Sequence, residues 1–115
     1  MIADRQDIVL NYTEEAMRTK PDGLFPNNVQ LINAALGLAG ESGEVADILK
    51  KCNFQGHTLD KDKLIEELGD ILWYVALAAQ ALGTDVSEIM VRNVQKLWKR
   101  YPNGFDSEKS INRGS

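Results

Sequence analysis

The sequence predicts an all-α fold, a bundle with four main helices, and three observations carry that expectation. Apolar residues recur at three- and four-residue intervals in four separate stretches, which is the helical period. No stretch of useful length alternates apolar and polar residues, as a half-buried strand would. Turn-forming residues fall between the stretches, at Pro21-Asp22-Gly23, Pro26, Gly83 and Pro102-Asn103-Gly104.

The first helix is expected over Asp4 to Lys20, with Ile8, Tyr12, Glu15 and Thr19 one turn apart, and Pro21-Asp22-Gly23 ends it. The second is expected over Val29 to Cys52, with Asn27 or Asn28 as an N-cap whose side chain accepts from a free amide of the next turn. Its apolar stripe passes through Leu31, Ala35, Leu38, Val45, Leu49 and Cys52. Gly37, Gly40 and Gly43 interrupt it, each costing about 1 kcal/mol relative to alanine. Helix propensity does not explain them; close approach of a backbone or a ligand, or a local kink, does.

Asn53 to Asp60 reads as a loop. The third helix follows over Lys61 to Leu82, with Leu64, Leu68, Ile71, Leu72, Val75, Ala79 and Leu82 on one stripe, and Gly83 stops it. Asp85 and Glu88 resemble a capping box opening the fourth helix, which carries Ile89, Val94, Leu97 and Trp98 and ends at Tyr101-Pro102-Asn103-Gly104. Residues 1–105 are expected to form a single domain, and the polar tail 106–115 to be loosely ordered.

Composition narrows the function classes. A chain of 115 residues has room for one domain, and long helices in so short a chain leave apolar faces uncovered. Thirteen basic residues against 17 acidic ones give a net charge of −4, which argues against a protein that coats nucleic acid. A single nucleotide needs only a few local cations or a metal, so it stays open. One cysteine, Cys52, cannot form an internal disulfide, and with one histidine, His57, there is no structural zinc set. The N-terminus is charged from Asp4 and Arg5, unlike a signal peptide. The longest apolar run, Ile71 to Ala79, falls short of the roughly 20 residues a bilayer requires. A cytoplasmic protein with no membrane partner is expected.

The informative constellation is a pair of acidic motifs, Glu41-x-x-Glu44 on the second helix and Glu67-x-x-Asp70 on the third. Residues three apart share a helix face, so each pair aims two carboxylates at one place. At about 100° per residue, Glu41 projects inside the apolar sector of its helix and Glu44 onto its edge. Glu67, Asp70 and Tyr74 flank the stripe of the third helix, whereas Glu66 faces further away and reads as solvated. Any one of these acids alone would be an ordinary surface residue. Four of them beside a core repel one another and are costly to desolvate unless something positive sits among them. Hard oxygen donors select magnesium, manganese or calcium, and magnesium favours a few carboxylates, waters and substrate phosphates.

Gly40-Glu41-Ser42-Gly43-Glu44 followed by Glu66-Glu67-Leu68-Gly69-Asp70 resembles the ExxE…ExxD signature of the MazG-like nucleotide pyrophosphohydrolases, with 22 residues between Glu44 and Glu67. The resemblance runs on through Ile71-Leu72-Trp73-Tyr74, Gly83-Thr84-Asp85, Asn93-x-x-Lys96 and Arg100-Tyr101-Pro102, and covers roughly Val29 to Phe105. It implies hydrolysis of a nucleoside or deoxynucleoside triphosphate to the monophosphate and pyrophosphate, by water attack at the α-phosphorus. It also implies Mg²⁺, with Mn²⁺ as an alternative, held by Glu41, Glu44, Glu67 and Asp70, one of which can act as general base. Lys96 and Arg100 become candidates to hold the phosphate tail, Asn93 to orient it, and Tyr74 to bond a phosphate or sugar oxygen. Lys96 and Arg100 equally suit the negative end of a helix.

Gln30 and Asn33 stand where similar dCTP pyrophosphatases read the base, although amides near a helix start also cap it or face water. Trp73 and Trp98 read as packing residues. The resemblance further implies a MazG-like bundle whose core is completed by a second copy, in a homodimer or homotetramer. Two departures leave the choice between broad housecleaning and one deoxynucleotide open: there is no second tandem domain, and the short 53–60 loop carries no base-reading element. Two rival readings remain. A di-iron carboxylate bundle requires Glu-x-x-His motifs, and no histidine lies near either acidic pair. A non-catalytic helical interaction module, or antitoxin-like partner, explains the amphipathic helices but not acids at the edge of the stripe.

Overall fold

The computed structural model describes residues 4–21 and 26–112, and of Lys109 the backbone alone. The expected stop at Asp22 and Gly23 and both extreme termini lie outside the described residues. Every regular element within them is a helix: α1 (Arg5–Leu10), α2 (Tyr12–Met17), α3 (Asn27–Phe54), α4 (Lys61–Ala81), α5 (Val86–Arg100) and α6 (Ser107–Ile111). The all-α class expected from the sequence holds.

The first expected helix is two. Asp4 caps α1 by accepting from the Asp7 amide at 2.9 Å. Asn11 then leaves helical geometry at φ −122°, ψ 32°, its side-chain amide donating to the Asp7 carbonyl at 3.2 Å. An asparagine that satisfies the backbone locally competes with the helix ladder, and the chain restarts as α2.

Helix α3 begins earlier than expected, and neither Asn27 nor Asn28 caps it. The capping position belongs to Pro26, whose carbonyl accepts from the Val29 and Gln30 amides. Proline fixes the approach angle but offers no side-chain acceptor. The helix runs unbroken through its three glycines to Phe54. Gly56, at φ 71°, then turns the chain so that the His57 amide donates back to the Lys51 carbonyl. Helix α4 starts as its pattern predicts, capped by Asp60 accepting from Lys63 N at 3.1 Å, and Gly83 at φ 76° ends it. Asp85 caps α5 through the Glu88 amide at 2.8 Å. The return arm of the capping box is absent, because the Glu88 carboxylate accepts from Arg92 at 2.8 Å instead. The polar tail contains α6, opened by Asp106 accepting from the Glu108 amide at 3.0 Å.

Helices α3 and α4 form the central pair, α2 packs on α4, and α5 meets chiefly α4 and α2. The core is small: Met17, Ala34, Ala76, Leu77 and Val86, flanked by Tyr12, Ala16, Trp73, Tyr74, Val75 and Ala78. The Trp73 indole N–H pins α2 to α4, lying 3.1 Å from the Ala16 carbonyl and 2.9 Å from Thr19 Oγ1. A Cβ on Gly37 would run into the Tyr74 ring, so this glycine is what allows α3 and α4 to close on that aromatic. The expected stripes are covered only in part: Ala79 is buried and Leu31, Leu38, Leu64, Ile71 and Val75 are half-buried. Leu49, Leu68, Leu72 and Leu82 are exposed, while the alanines at 34, 76 and 79 are fully buried. Small side chains let two helices approach closely, and part of the bulkier stripe is left on the outside. Helix α5 is likewise open along Met90, Val94, Leu97 and Trp98. The radius of gyration, 17.2 Å, exceeds the roughly 13 Å of a compact chain of this length.

Candidate metal centre

Helix α3 presents Glu41 and Glu44 one turn apart, and α4 presents Glu67 and Asp70 opposite them. One carboxylate oxygen each from Glu41, Glu67 and Asp70 lies within 4.8 Å of the others. The three differ in surroundings: Glu67 is buried at 7% exposure, Glu41 half-buried, Asp70 exposed. Helical projection marks Glu41 as the most enclosed acid; the structure gives that place to Glu67. On α4 Glu67 shares its face with Leu64 and Ile71, both half-buried, whereas Leu68 and Leu72 on the other side of the stripe are exposed. Glu66 is exposed, as its projection indicates.

Two oxygens, Glu41 Oε2 and Glu67 Oε2, are buried without a hydrogen-bond donor. A buried, unanswered carboxylate oxygen is costly, and two beside each other more so. Burial pushes the Glu41 carboxyl above the ordinary carboxylate range, followed by a proton shared with Glu67 and the charges of Glu44, Asp70 and Glu67. Glu44 is raised chiefly by sharing a proton with Glu67, then by the Glu67 charge and by desolvation, with Lys63 opposing. Protonation is how such a cluster relieves itself when no cation is present. Hard oxygen donors of this number and convergence fit a hard divalent cation, the kind of partner that an orphaned carboxylate oxygen lacks.

Glu44 stands outside the set of three, on an open cavity of about 410 Å³ lined by Gly40, Gly43, Glu44, Asp47, Lys63 and Glu67. Lys63 Nζ lies 3.6 Å from Glu67 Oε1. On α2, burial first and then the negative charge of Asp70 raise the Tyr12 phenol above its usual value. Lys63 and Tyr12 were absent from the residues singled out by sequence. Lys63 carried a readable signal, because it stands four residues before Glu67 and so on the same helix face. Tyr12 carried none, since only the packing of α2 against α4 brings it to Asp70.

The remaining sequence candidates separate into two groups. Gln30 is buried on the inward face of α3, in line with Ala34 and Glu41, about 16 Å along the helix from the acids. Asn33, three residues on, is exposed. Tyr74 packs against Gly37 and meets Trp73 edge-on, with ring centres 5.1 Å apart. Asn93, Lys96 and Arg100 all ride on α5. Among the described residues neither Lys96 nor Arg100 forms an ion pair, and the acids' charged neighbour is Lys63 instead.

The family model for the MazG nucleotide pyrophosphohydrolase domain matches residues 30–105. The chain is also 37% identical over 82 residues to the Gene 37 protein of Mycobacterium phage L5, a match spanning 68% of this chain and 72% of that protein. No solved structure matches the chain. No helix among the described residues is long and apolar enough to cross a membrane.

Proposed function

The chain belongs to the MazG nucleotide pyrophosphohydrolase family, and from that premise we propose that it hydrolyses a nucleoside or deoxynucleoside triphosphate to the monophosphate and pyrophosphate with Mg²⁺. The observation that carries this reading is the pair of orphaned oxygens on Glu41 and Glu67 within the three-carboxylate cluster. Glu41, Glu67 and Asp70 would hold the ion, with Glu44 beside them and Mn²⁺ an acceptable substitute. Bound Mg²⁺ supplies neutralisation of phosphate charge and a more acidic water.

The chain's own residues account for the rest. Water oxygen attacks the α-phosphorus, the bond to the α–β bridging oxygen breaks, and pyrophosphate leaves with the electron pair. Glu44 takes the water proton: it lines the cavity and stands apart from the three convergent oxygens. Gln30, buried on the same face as Glu41, reads the base, with Asn33 at the rim and Tyr74 bounding the sugar. Asn93, Lys96 and Arg100 serve the phosphate tail when α5 lies over a site. Two copies sharing one bundle supply that cover, as homodimer or homotetramer. Support for it comes from the exposed faces of α3, α4 and α5 and the extended shape of one chain. Residues 1–105 make up the domain, acting in the cytoplasm on a small nucleotide.

A panel of ribo- and deoxyribonucleoside triphosphates with Mg²⁺, scored for monophosphate and pyrophosphate, tests the reading. Release of pyrophosphate from at least one nucleotide is expected. No release from any canonical or modified triphosphate overturns it. The apolar faces also suit a non-catalytic helical module, which gives no reason for two unanswered carboxylate oxygens. Metal-independent partner binding with no hydrolysis would favour that module.

A further inference from the structure

Beside the acids lies one cation that the reading above does not use. We propose that Lys63 is a phosphate-holding residue of this site, receiving the pyrophosphate part of a magnesium-bound polyphosphate over a floor of bare backbone at Gly40 and Gly43. This rests on the pyrophosphohydrolase reading and adds a subsite to it.

Helix stability does not account for Lys63. It is the third residue of α4, at the positive end of the helix dipole, where a cation is disfavoured. Its partner Glu67 follows it by four residues, the poorer orientation for a helical ion pair. The ammonium is more than half exposed, so the pair at 3.6 Å contributes little to folding. What the position does give is a cation on the wall of the 410 Å³ cavity that also contains Glu44 and Glu67.

The floor of that cavity points the same way. A Cβ at Gly37 would meet Tyr74, so packing requires that glycine. A Cβ at Gly40 or Gly43 would meet nothing within 4 Å, so packing within the chain requires neither. Both nevertheless weaken α3 relative to alanine. They leave one stretch of α3 without side chains directly beside Glu44, where a ligand can lie close to the backbone. Glu67 is more than nine-tenths buried and lines this space, its Oε1 facing Lys63 while its Oε2 is enclosed without a donor. An ion on Glu67 would release Lys63 from that pairing toward an anion. Asp47, the outermost acid of the cavity, is engaged by Lys51 at 2.8 Å and Lys50 at 3.5 Å, so its charge is compensated and does not bar a polyphosphate.

The test titrates inorganic pyrophosphate, in the presence of Mg²⁺, into wild type, Lys63→Met, Lys63→Arg, Gly40→Ala and Gly43→Ala by calorimetry. Mg²⁺ alone is titrated into the same proteins, and KM and kcat are measured on the best triphosphate. Loss of a charge-assisted bond to phosphate should weaken pyrophosphate binding by about tenfold in Lys63→Met and raise KM similarly, with a smaller change in kcat. Lys63→Arg should recover most of that loss. Mg²⁺ alone should bind Lys63→Met as tightly as wild type or tighter, because a competing cation is gone. Each alanine variant should melt no lower than wild type yet bind pyrophosphate more weakly.

Unchanged pyrophosphate binding in Lys63→Met overturns the proposal, as does an equal weakening of Mg²⁺ and pyrophosphate, which would mark Lys63 as a prop for the acids. Unchanged binding in both alanine variants, or their loss of self-association, overturns the glycine floor. A wild type that turns over triphosphate beside an indifferent Lys63→Met removes only the subsite. A wild type that binds pyrophosphate through Lys63 but hydrolyses nothing removes only the pyrophosphohydrolase reading.

Discussion

Helices α4 and α5 are both amphipathic, yet one chain completes only the first. Helix α4 turns Glu67, Ala76, Leu77 and Ala79 inward against α3 and α2, and its acids meet those of α3 within the same chain. Helix α5 is anchored by Val86 at its start and exposed along most of its length, with Leu97 and Trp98 uncovered. The polar residues follow the same division. Carboxylates that must converge to within a few ångströms sit on the self-sufficient pair, where packing of small residues fixes their spacing. The cations Lys96 and Arg100 sit on the helix whose apolar side chains are exposed in one chain. Under the proposed function, the metal site would be complete within one chain, whereas the phosphate-tail residues would depend on a second copy.

The sharpest way to break this contrast is at its buried acid. Glu67→Gln keeps the shape and removes a charge. Activity with Mg²⁺ should fall by about a hundredfold or more, reflecting several kcal/mol of lost charge stabilisation. The metal-free protein should nevertheless melt no lower than wild type, because repulsion with Glu41, Glu44 and Asp70 is relieved. Thermal melting and steady-state kinetics on one preparation check both halves. A lower melting temperature would show that the cluster is held by something other than a missing cation.

The two apolar regions should respond in opposite ways. Leu77→Ala opens a cavity in the one chain's core and should cost about 2–5 kcal/mol in denaturant unfolding. Trp98→Ser removes a larger side chain that touches little within its own chain. It should leave the helix content intact and shift sedimentation toward monomer. Dissociation by Leu77→Ala alone, with Trp98→Ser inert, would contradict the division.

Much of the self-sufficient region was legible in the sequence. Asp60, Asp85 and Gly83 mark the limits of α4 and α5 because caps and left-handed turns depend on local chemistry. The i, i+3 spacing paired the acids for the same reason. What escaped depends on which side of a helix finds a neighbour. The α4 stripe is wider than the face that one chain covers: Ala79 and the Gly37–Tyr74 contact lie inside while Leu68 and Leu72 stay out, and Glu67 rather than Glu41 is deepest. The break at Asn11 was hidden because an apolar period running on past it looks the same whether or not the backbone pauses. Tyr12 reaches Asp70 only through tertiary packing.

Smaller effects refine the picture. The carboxyls of Glu41 and Glu44 are raised in the folded chain by burial and by Glu67 respectively, so the folded state holds their protons more tightly than the unfolded one. Their contribution to metal-free stability is therefore present in acid and lost as pH rises through the raised values. Denaturant unfolding across that range should show stability declining with pH in chelator and a flatter profile in Mg²⁺. The smallest change is at the start of α5: Asp85→Ala removes the cap on the Glu88 amide and should cost about 1 kcal/mol, with the acids and their metal affinity unaffected.

In the proposed reaction the carboxylates of α3 and α4 direct water to the α-phosphorus of a nucleoside triphosphate. Turnover in ¹⁸O-enriched water with Mg²⁺, followed by ³¹P NMR of the products, tests it most directly. Label is expected in the nucleoside monophosphate alone, with unlabelled pyrophosphate, and both products should form about a hundredfold more slowly in Glu67→Gln. Label in the pyrophosphate, or release of orthophosphate and a diphosphate, would contradict it.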